Sequence, residues 1–358
     1  MAAQLAADKL QLLRSGTIIP AIPLALDSNR QHDEARQRML SRYYMAAGTG
    51  GIAVAVHSTQ FEIRDPEINL FETVLRLSAE EVDQANLDRP YIKIAGICGP
   101  TAQAVNEANI ALKYGYDMGL LSMGGLQGWT EDEILDRVRA VADVMPVFGF
   151  YLQPSVGGRI FTYDFWLKFA EIPNVLAIKV ASFNRYQTLD VVRAVCNSSR
   201  NNELVLYTGN DDNIVPDLLT TYRFNIDGKV VEKEFIGGLL GHWAVWTNQA
   251  VALFEEIKAF KAGKAPADVT MESLLTKGVE VTDMNAAIFD PAHAFHGCIP
   301  GIHEVLRRQG LLEGRWCLNP KEELSEGQME EINRVCAAYP HLVDDEFVKK
   351  FLAAESVV

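Results

Sequence analysis

Short apolar runs alternate along this chain with amphipathic stretches at a steady pace. After a proline-broken run at 16–26 (GTIIPAIPLAL), apolar runs fall at 51–56, 91–98, 118–123, 146–152, 175–181, 203–208 and 237–246. Strands covered on both faces of a parallel sheet read as continuous apolar runs of this kind. Between them, residues 32–47, 100–114, 130–144, 163–171, 185–196, 211–222 and 248–262 carry helical periodicity, and the stretch up to 87 reads as loop with a helix. Acidic residues crowd the first turn of 130–144, where they complement a helix N-terminus. A short helix over 2–14 precedes the first strand. About eight strand–helix units in succession predict an α/β fold, a parallel (β/α)8 TIM barrel. A doubly wound open sheet is disfavoured, because no G-x-G-x-x-G turn follows the first strand.

Two features break the rhythm. Residues 223–235 (RFNIDGKVVEKEF) alternate apolar and charged positions about Asn225-Ile226-Asp227-Gly228, which predicts a β-hairpin inserted at the bottom of the barrel as an oligomer contact or decoration. Beyond residue 263 the pattern is helical, at 271–278, 283–289, 299–309, 325–338 and 345–353. The expected organisation is an N-terminal helix plus barrel over 1–263 and a C-terminal helical appendage over 264–358.

Composition narrows the function. The 358 residues are 48% hydrophobic and 22% charged, an ordinary globular balance. Neither a signal-peptide pattern nor an apolar run long enough to span a bilayer is read in the sequence. The five cysteines are odd in number, scattered and never in C-x-x-C, which fits a reducing cytoplasm. A net charge of −14 argues against nucleic acid and anionic membranes as partners.

Against this background one residue stands out. Lys179 sits in Ala177-Ile178-Lys179-Val180-Ala181, inside an otherwise apolar strand. Either it forms a buried ion pair or sends its ammonium to water, or it is a nucleophilic amine whose pKa is lowered by desolvation. Tyr151, near the end of the preceding apolar run, is either a packed aromatic or a proton donor and acceptor.

The Tyr-x-x-Pro at 151–154, followed twenty-eight residues after the tyrosine by a lysine in an Ile-Lys strand preceded by Ile-Pro-Asn, resembles the dihydrodipicolinate synthase and N-acetylneuraminate lyase family. The resemblance extends over roughly 16–320, and the segment 300–312 (PGIHEVLRRQGLL) shares in it. It implies a class I aldolase or lyase. Lys179 would form a Schiff base with pyruvate or a related 2-oxo acid, and Tyr151 would move protons, with no metal or organic cofactor. It also assigns substrate binding to Ser58 and Thr59, in the place of the family's Gly-Thr-Thr-Gly-Glu, to Gly209 and Asp211 after the seventh strand, and to Trp243 after the eighth. Read without the resemblance, Ser58 and Thr59 are equally a helix N-cap, and the acids after Gly209 are equally capping residues. Family members are commonly tetramers built from dimers, so a homo-oligomer, dimer or tetramer, is expected.

Departures from the pattern bear on the second substrate. Gln60 and Phe61 replace Gly-Glu, no tyrosine stands in the stretch at 122–126 that would complete a proton relay, and Val156 replaces the arginine that grips the aldehyde's carboxylate. Arg159 lies three positions on. These losses argue against lysine biosynthesis and leave the acceptor aldehyde unassigned. Two other readings stand beside the lyase. One is a metal-dependent aldolase or hydrolase built on His293, His296, Cys298 and His303, whose spacing matches no common metal motif. The other is a barrel that binds 2-oxo or sugar acids without catalysis.

Overall fold

Eight parallel strands form a ring in the computed structural model of the chain, which describes residues 2–355. In chain order the strands are β1 (Ile18–Pro20), β2 (Gly51–Val54), β3 (Ile92–Ile97), β4 (Met118–Leu121), β5 (Val147–Leu152), β6 (Val175–Ala181), β7 (Val205–Thr208), β8 (Thr221–Ile226) and β9 (Lys229–Leu240). All but β8 belong to the ring, in the order β1-β9-β7-β6-β5-β4-β3-β2. The ring closes between β1 and β2 through a parallel bridge of Ala21 with Ala53, where the Ile22 N–H donates to the Ala53 carbonyl at 2.9 Å. The expected (β/α)8 barrel with a C-terminal helical part is therefore the observed fold.

Alternation along each strand divides the core into two layers. Ile19, Ala53, Ile94, Leu120, Phe148, Phe150, Ala177, Tyr207 and Leu239 fill the barrel interior, while Val54, Ile97, Val147, Tyr151, Ile178 and Leu206 pack outward against the helices. The N-terminal helix Ala7–Ser15 closes the bottom. Its Leu13 is fully buried among the interior residues, and its carbonyl accepts the Tyr207 hydroxyl at 2.9 Å.

Three expectations from sequence need correction. The hairpin and the last strand are continuous: β9 runs through both, ends at Leu240, and gives way to a turn of 3-10 helix over His242–Ala244. The helix expected over 211–222 is confined to Ile214–Leu219, because β-branched Thr220 and Thr221 lead into β8. The two helices expected at 271–278 and 283–289 are one, Met271–Phe289. Gly278 does not end that helix; a Cβ there would lie 3.0 Å from the Val215 Cβ, so the glycine allows close packing on the barrel.

The helices after residue 263 are anchored by polar contacts to the top and side of the barrel. Asn285 Nδ2 donates to the Asp211 carbonyl at 2.7 Å and Thr282 Oγ1 to the Asp212 carbonyl at 3.0 Å. The buried Asp344 accepts the Tyr43 hydroxyl at 2.7 Å, and the Gln60 amide oxygen accepts the Leu318 N–H at 2.6 Å. Among the described residues, no helix is long and apolar enough to cross a membrane.

Candidate active site

Two buried lysines lie within the barrel's strands, and they differ in what surrounds them. Lys93 in β3 points outward, and its amine meets Asp83 at 2.6 Å, so an ion pair accounts for it. Lys179 in β6 points into the barrel, paired across the sheet with Phe150 on one side and Tyr207 on the other. Its amine lies 4.3 Å from the centroid of the Phe150 ring and, among the described residues, makes no hydrogen bond or ion pair. Burial penalises the ammonium and holds its pKa well below the ordinary lysine value, with the negative charge of Asp211 only partly opposing this.

A cavity of about 70 Å³ lies at that amine, at the C-terminal ends of the strands, the face on which barrel sites are built. Gly209, just after β7, provides the space for the lysine stem. A Cβ there would stand 2.6 Å from Lys179 Cε and 2.8 Å from Ala181 Cβ. Asp211, two residues on, is buried in the same wall. The turn between them is held by the buried Asp217, which accepts from Thr208 Oγ1 at 2.7 Å and from Asn210 Nδ2 at 2.9 Å. Asp211 Oδ1 accepts the His242 N–H at 3.0 Å, while Oδ2 has no hydrogen-bond partner among the described residues. Desolvation raises its pKa, outweighing the His242 N–H and the lysine charge.

The opposite wall is the turn after β2. Ala55 and Gln60 bracket it with φ of 61° and 68°, a left-handed conformation uncommon outside glycine. Gln60 stands where the resembling family has glycine, and its bond to Leu318 ties the turn down despite the substitution. Within the turn, His57 and Ser58 line the cavity. Burial and the nearby Lys179 charge hold the His57 imidazole neutral, with a pKa of about 4. Ser58 Oγ donates to the carbonyls of Ala21 and Ile22, at 3.0 and 3.2 Å.

The structure thus brings together Lys179, Ser58, Gly209 and Asp211, and sends three other expected residues elsewhere. Tyr151 follows Phe150 in β5 and so faces outward, its ring centroid 4.9 Å from that of Trp166 at a tilt of 39° and near Phe161. Its hydroxyl points to the Phe161 backbone, and burial pushes its pKa up to about 12. The ring that faces the lysine is Phe150, which has no proton to give. Thr59 is also outside the cavity lining; its hydroxyl donates to the Ile22 carbonyl at 2.7 Å and accepts the Val56 N–H at 3.2 Å, which fixes the turn. Trp243 packs its indole against Gly238 and Phe254, its carbonyl accepts the Thr247 hydroxyl at 2.7 Å, and it is not among the residues that line the cavity.

Arg159 is committed as well. It donates to the Trp129 carbonyl at 2.7 Å and lies over the Phe161 ring. The histidines after residue 290 do not converge. His293 pairs with Asp290 at 2.6 Å and His296 is exposed, whereas His303 is buried on the helix Cys298–Arg308. No group of three or more His, Cys, Asp or Glu among the described residues is arranged to hold a metal. The sequence alone did not single out His57, Phe150 and Gln153, nor the roof residues Phe289, Phe295 and Ile302; Cys298, which completes that roof, entered only as a metal-ligand candidate. Gln153 lay in view inside the Tyr-x-x-Pro segment, but the roof residues carry no local signal.

Comparison with known proteins bears on this geometry in two ways. No family model matches the chain. A segment of 136 residues is 31% identical to 4-hydroxy-tetrahydrodipicolinate synthase of Clostridium novyi, covering 38% of this chain and 44% of that protein, so the likeness spans less than half of the curated relative. Among solved structures, dihydrodipicolinate synthase from Acinetobacter baumannii, complexed with pyruvate, superposes with a TM-score of 0.71 at 17% identity over 90% of this chain and 98% of that one. N-acetylneuraminate lyase from Fusobacterium nucleatum gives 0.67 at 16% identity, over 91% and 99%. At such identities the superpositions establish the shared fold.

Proposed function

We infer that this chain, a divergent relative of dihydrodipicolinate synthase and N-acetylneuraminate lyase, is a class I lyase that makes or breaks a carbon–carbon bond next to a 2-oxo acid, pyruvate or a close analogue. The observation that carries the reading is Lys179: an unpaired, desolvated amine in a cavity at the C-terminal end of the barrel strands, beside Gly209, whose missing side chain leaves room for the lysine stem. An amine whose pKa is lowered to about 8 has a far larger neutral fraction near physiological pH than an ordinary lysine, and the neutral form is the one that attacks a ketone carbon.

The residues around it suggest the course of the reaction. The Lys179 amine adds to C2 of the 2-oxo acid. The resulting hydroxyl takes a proton from the carboxylic acid form of Asp211 and leaves as water, giving the imine. The protonated imine then draws electrons from C3, whose proton returns to the Asp211 carboxylate, and the enamine so formed is the carbon nucleophile. Asp211 Oδ2 is suited to this traffic because it has no competing partner and its pKa is raised. Asp211 takes over the role that the resemblance gave to Tyr151. On the substrate's carboxylate side, His57 offers a neutral imidazole from which a carboxylate can accept a hydrogen bond, while the Ser58 hydroxyl, donating to the Ala21 and Ile22 carbonyls, holds the turn beside it.

The test is borohydride reduction in the presence of pyruvate, read by intact mass and peptide mapping. A reduced adduct on Lys179 that disappears in Lys179→Ala is the expected result. Folded protein that gives no adduct with pyruvate or with larger 2-oxo acids would leave a barrel that binds such acids without catalysis.

A further inference from the structure

We propose that a chamber between the turn after β7 and the helix Met271–Phe289 is the subsite for the second reactant, and that it takes a neutral aldehyde with an aryl or branched alkyl body and no carboxylate or phosphate. The proposal rests on the Schiff-base reading above.

The chamber opens directly off the lysine cavity; Gln153, Phe183, Asp211, Phe289 and Phe295 line both. Its volume is about 330 Å³, at the lower end of the range of small-ligand sites. Its walls are largely apolar. Phe183 and Phe295 meet edge to face at 5.7 Å, and Phe289, Pro291 and Ala286 complete that surface. Both phenylalanines of the pair have positive φ, 51° and 65°, and Phe183 is held there by its N–H donating to Asn210 Oδ1 at 3.0 Å. The backbone is thus shaped to present aromatic rings to the space next to the amine.

Charge decides which aldehydes are excluded. The ionisable residues lining the chamber are Asp211 and Asp212, and among the described residues no lysine or arginine lines it. Arg159 is turned to the Trp129 carbonyl, and Arg185 is paired with Asp217 at 2.5 Å. The other space adjoining the lysine cavity has Glu62, Glu322, His293 and His296 in its lining; it is polar and acidic and likewise lacks lysine and arginine. An anionic aldehyde would find no counter-charge and two carboxylates in its path. An apolar one would bury its body against the rings. With the aldehyde carbon at C3 of the enamine, a carbon–carbon bond forms and the aldehyde oxygen takes the proton held by Asp211. One water then releases the 4-hydroxy-2-oxo acid from Lys179.

The experiment uses the full chain with pyruvate saturating. Pyruvate trapping by borohydride is measured first, then condensation with benzaldehyde, isobutyraldehyde, glyceraldehyde and succinic semialdehyde by chromatography and mass spectrometry. The expected kcat/KM for the first two exceeds that for the last two by about tenfold or more. Ala286→Phe, at an exposed helical position on the chamber wall, is expected to raise the KM for benzaldehyde about tenfold while pyruvate trapping stays at the wild-type rate. Trapping with faster use of succinic semialdehyde or glyceraldehyde would overturn the proposal, and so would an unchanged KM in Ala286→Phe. Absence of trapping would instead remove the Schiff-base reading on which it rests.

Discussion

Replacing Gly209 with alanine tests the lysine's setting with a single methyl group. Gly209 does not occupy a left-handed conformation, so its backbone accepts alanine without strain, and any effect is steric. The added Cβ would lie 2.6 Å from Lys179 Cε, 3.0 Å from Lys179 Cγ and 2.8 Å from Ala181 Cβ, whereas ordinary contact begins at 3.4 Å. The lysine carbon must therefore retreat by 3.4 − 2.6 = 0.8 Å and the Ala181 methyl by 3.4 − 2.8 = 0.6 Å. The methyl cannot retreat on its own. It is fixed to β6, which the Gly209 N–H holds at 2.7 Å through the Val180 carbonyl. The lysine stem has to swing instead, taking the amine with it. Overpacking of this kind costs about 1–3 kcal/mol. A displacement on the order of 1 Å at a reacting atom lowers the rate by roughly a hundredfold. The assay is the rate of borohydride-dependent adduct formation at fixed pyruvate, with urea denaturation of the same sample. Wild-type trapping rate and stability in Gly209→Ala would refute the account of how the lysine is placed.

Four further outcomes follow from the same geometry. Because only the neutral amine attacks and burial lowers the Lys179 pKa, adduct formation should rise with pH well below the ordinary lysine value of 10.5, and fall again as Asp211 loses the proton that the leaving hydroxyl requires. In Asp211→Asn the carboxylate that lifts this pKa is lost, so the rising limb should move to lower pH while C3 deuterium exchange of pyruvate slows by about a hundredfold or more; a limb moving to higher pH would contradict the sign. Tyr151→Phe should leave adduct formation at the wild-type rate and stability within about 1 kcal/mol, as read by trapping and denaturation, since that hydroxyl faces the outer helices. Thr59→Val removes the partner of the buried Val56 N–H and should cost about 1–3 kcal/mol in urea unfolding.

The barrel was legible because a parallel strand covered on both faces writes a plain apolar run, against which Lys179 is conspicuous. The same property hid the orientation of Tyr151. A strand that is apolar on both faces carries no alternation to say which side chains point inward, so Phe150 and Tyr151 are equivalent in sequence until the register of Phe150 with Lys179 separates them. Spacing to a lysine twenty-eight residues away constrains the chain and not the side of the sheet. Asp211 could be found because it lies in the turn after β7 on the site's own face. The roof could not, since Phe289, Phe295 and Ile302 reach the cavity only through tertiary packing of helices far along the chain. Gly278 misled for a related reason: a glycine that permits close packing looks, in sequence, like one that ends a helix.

The roof is also the last part of the catalytic chamber to leave the ribosome. Until residues 289–302 are in place, Lys179 at the mouth of the barrel is bathed in water, and a hydrated lysine is protonated and inert toward ketones and aldehydes. Closing the chamber strips away much of that hydration and lowers the pKa, which raises the share of neutral amine. On the Schiff-base reading the amine therefore gains its reactivity with the completion of the chamber, and a half-made chain is a poor scavenger of carbonyl metabolites.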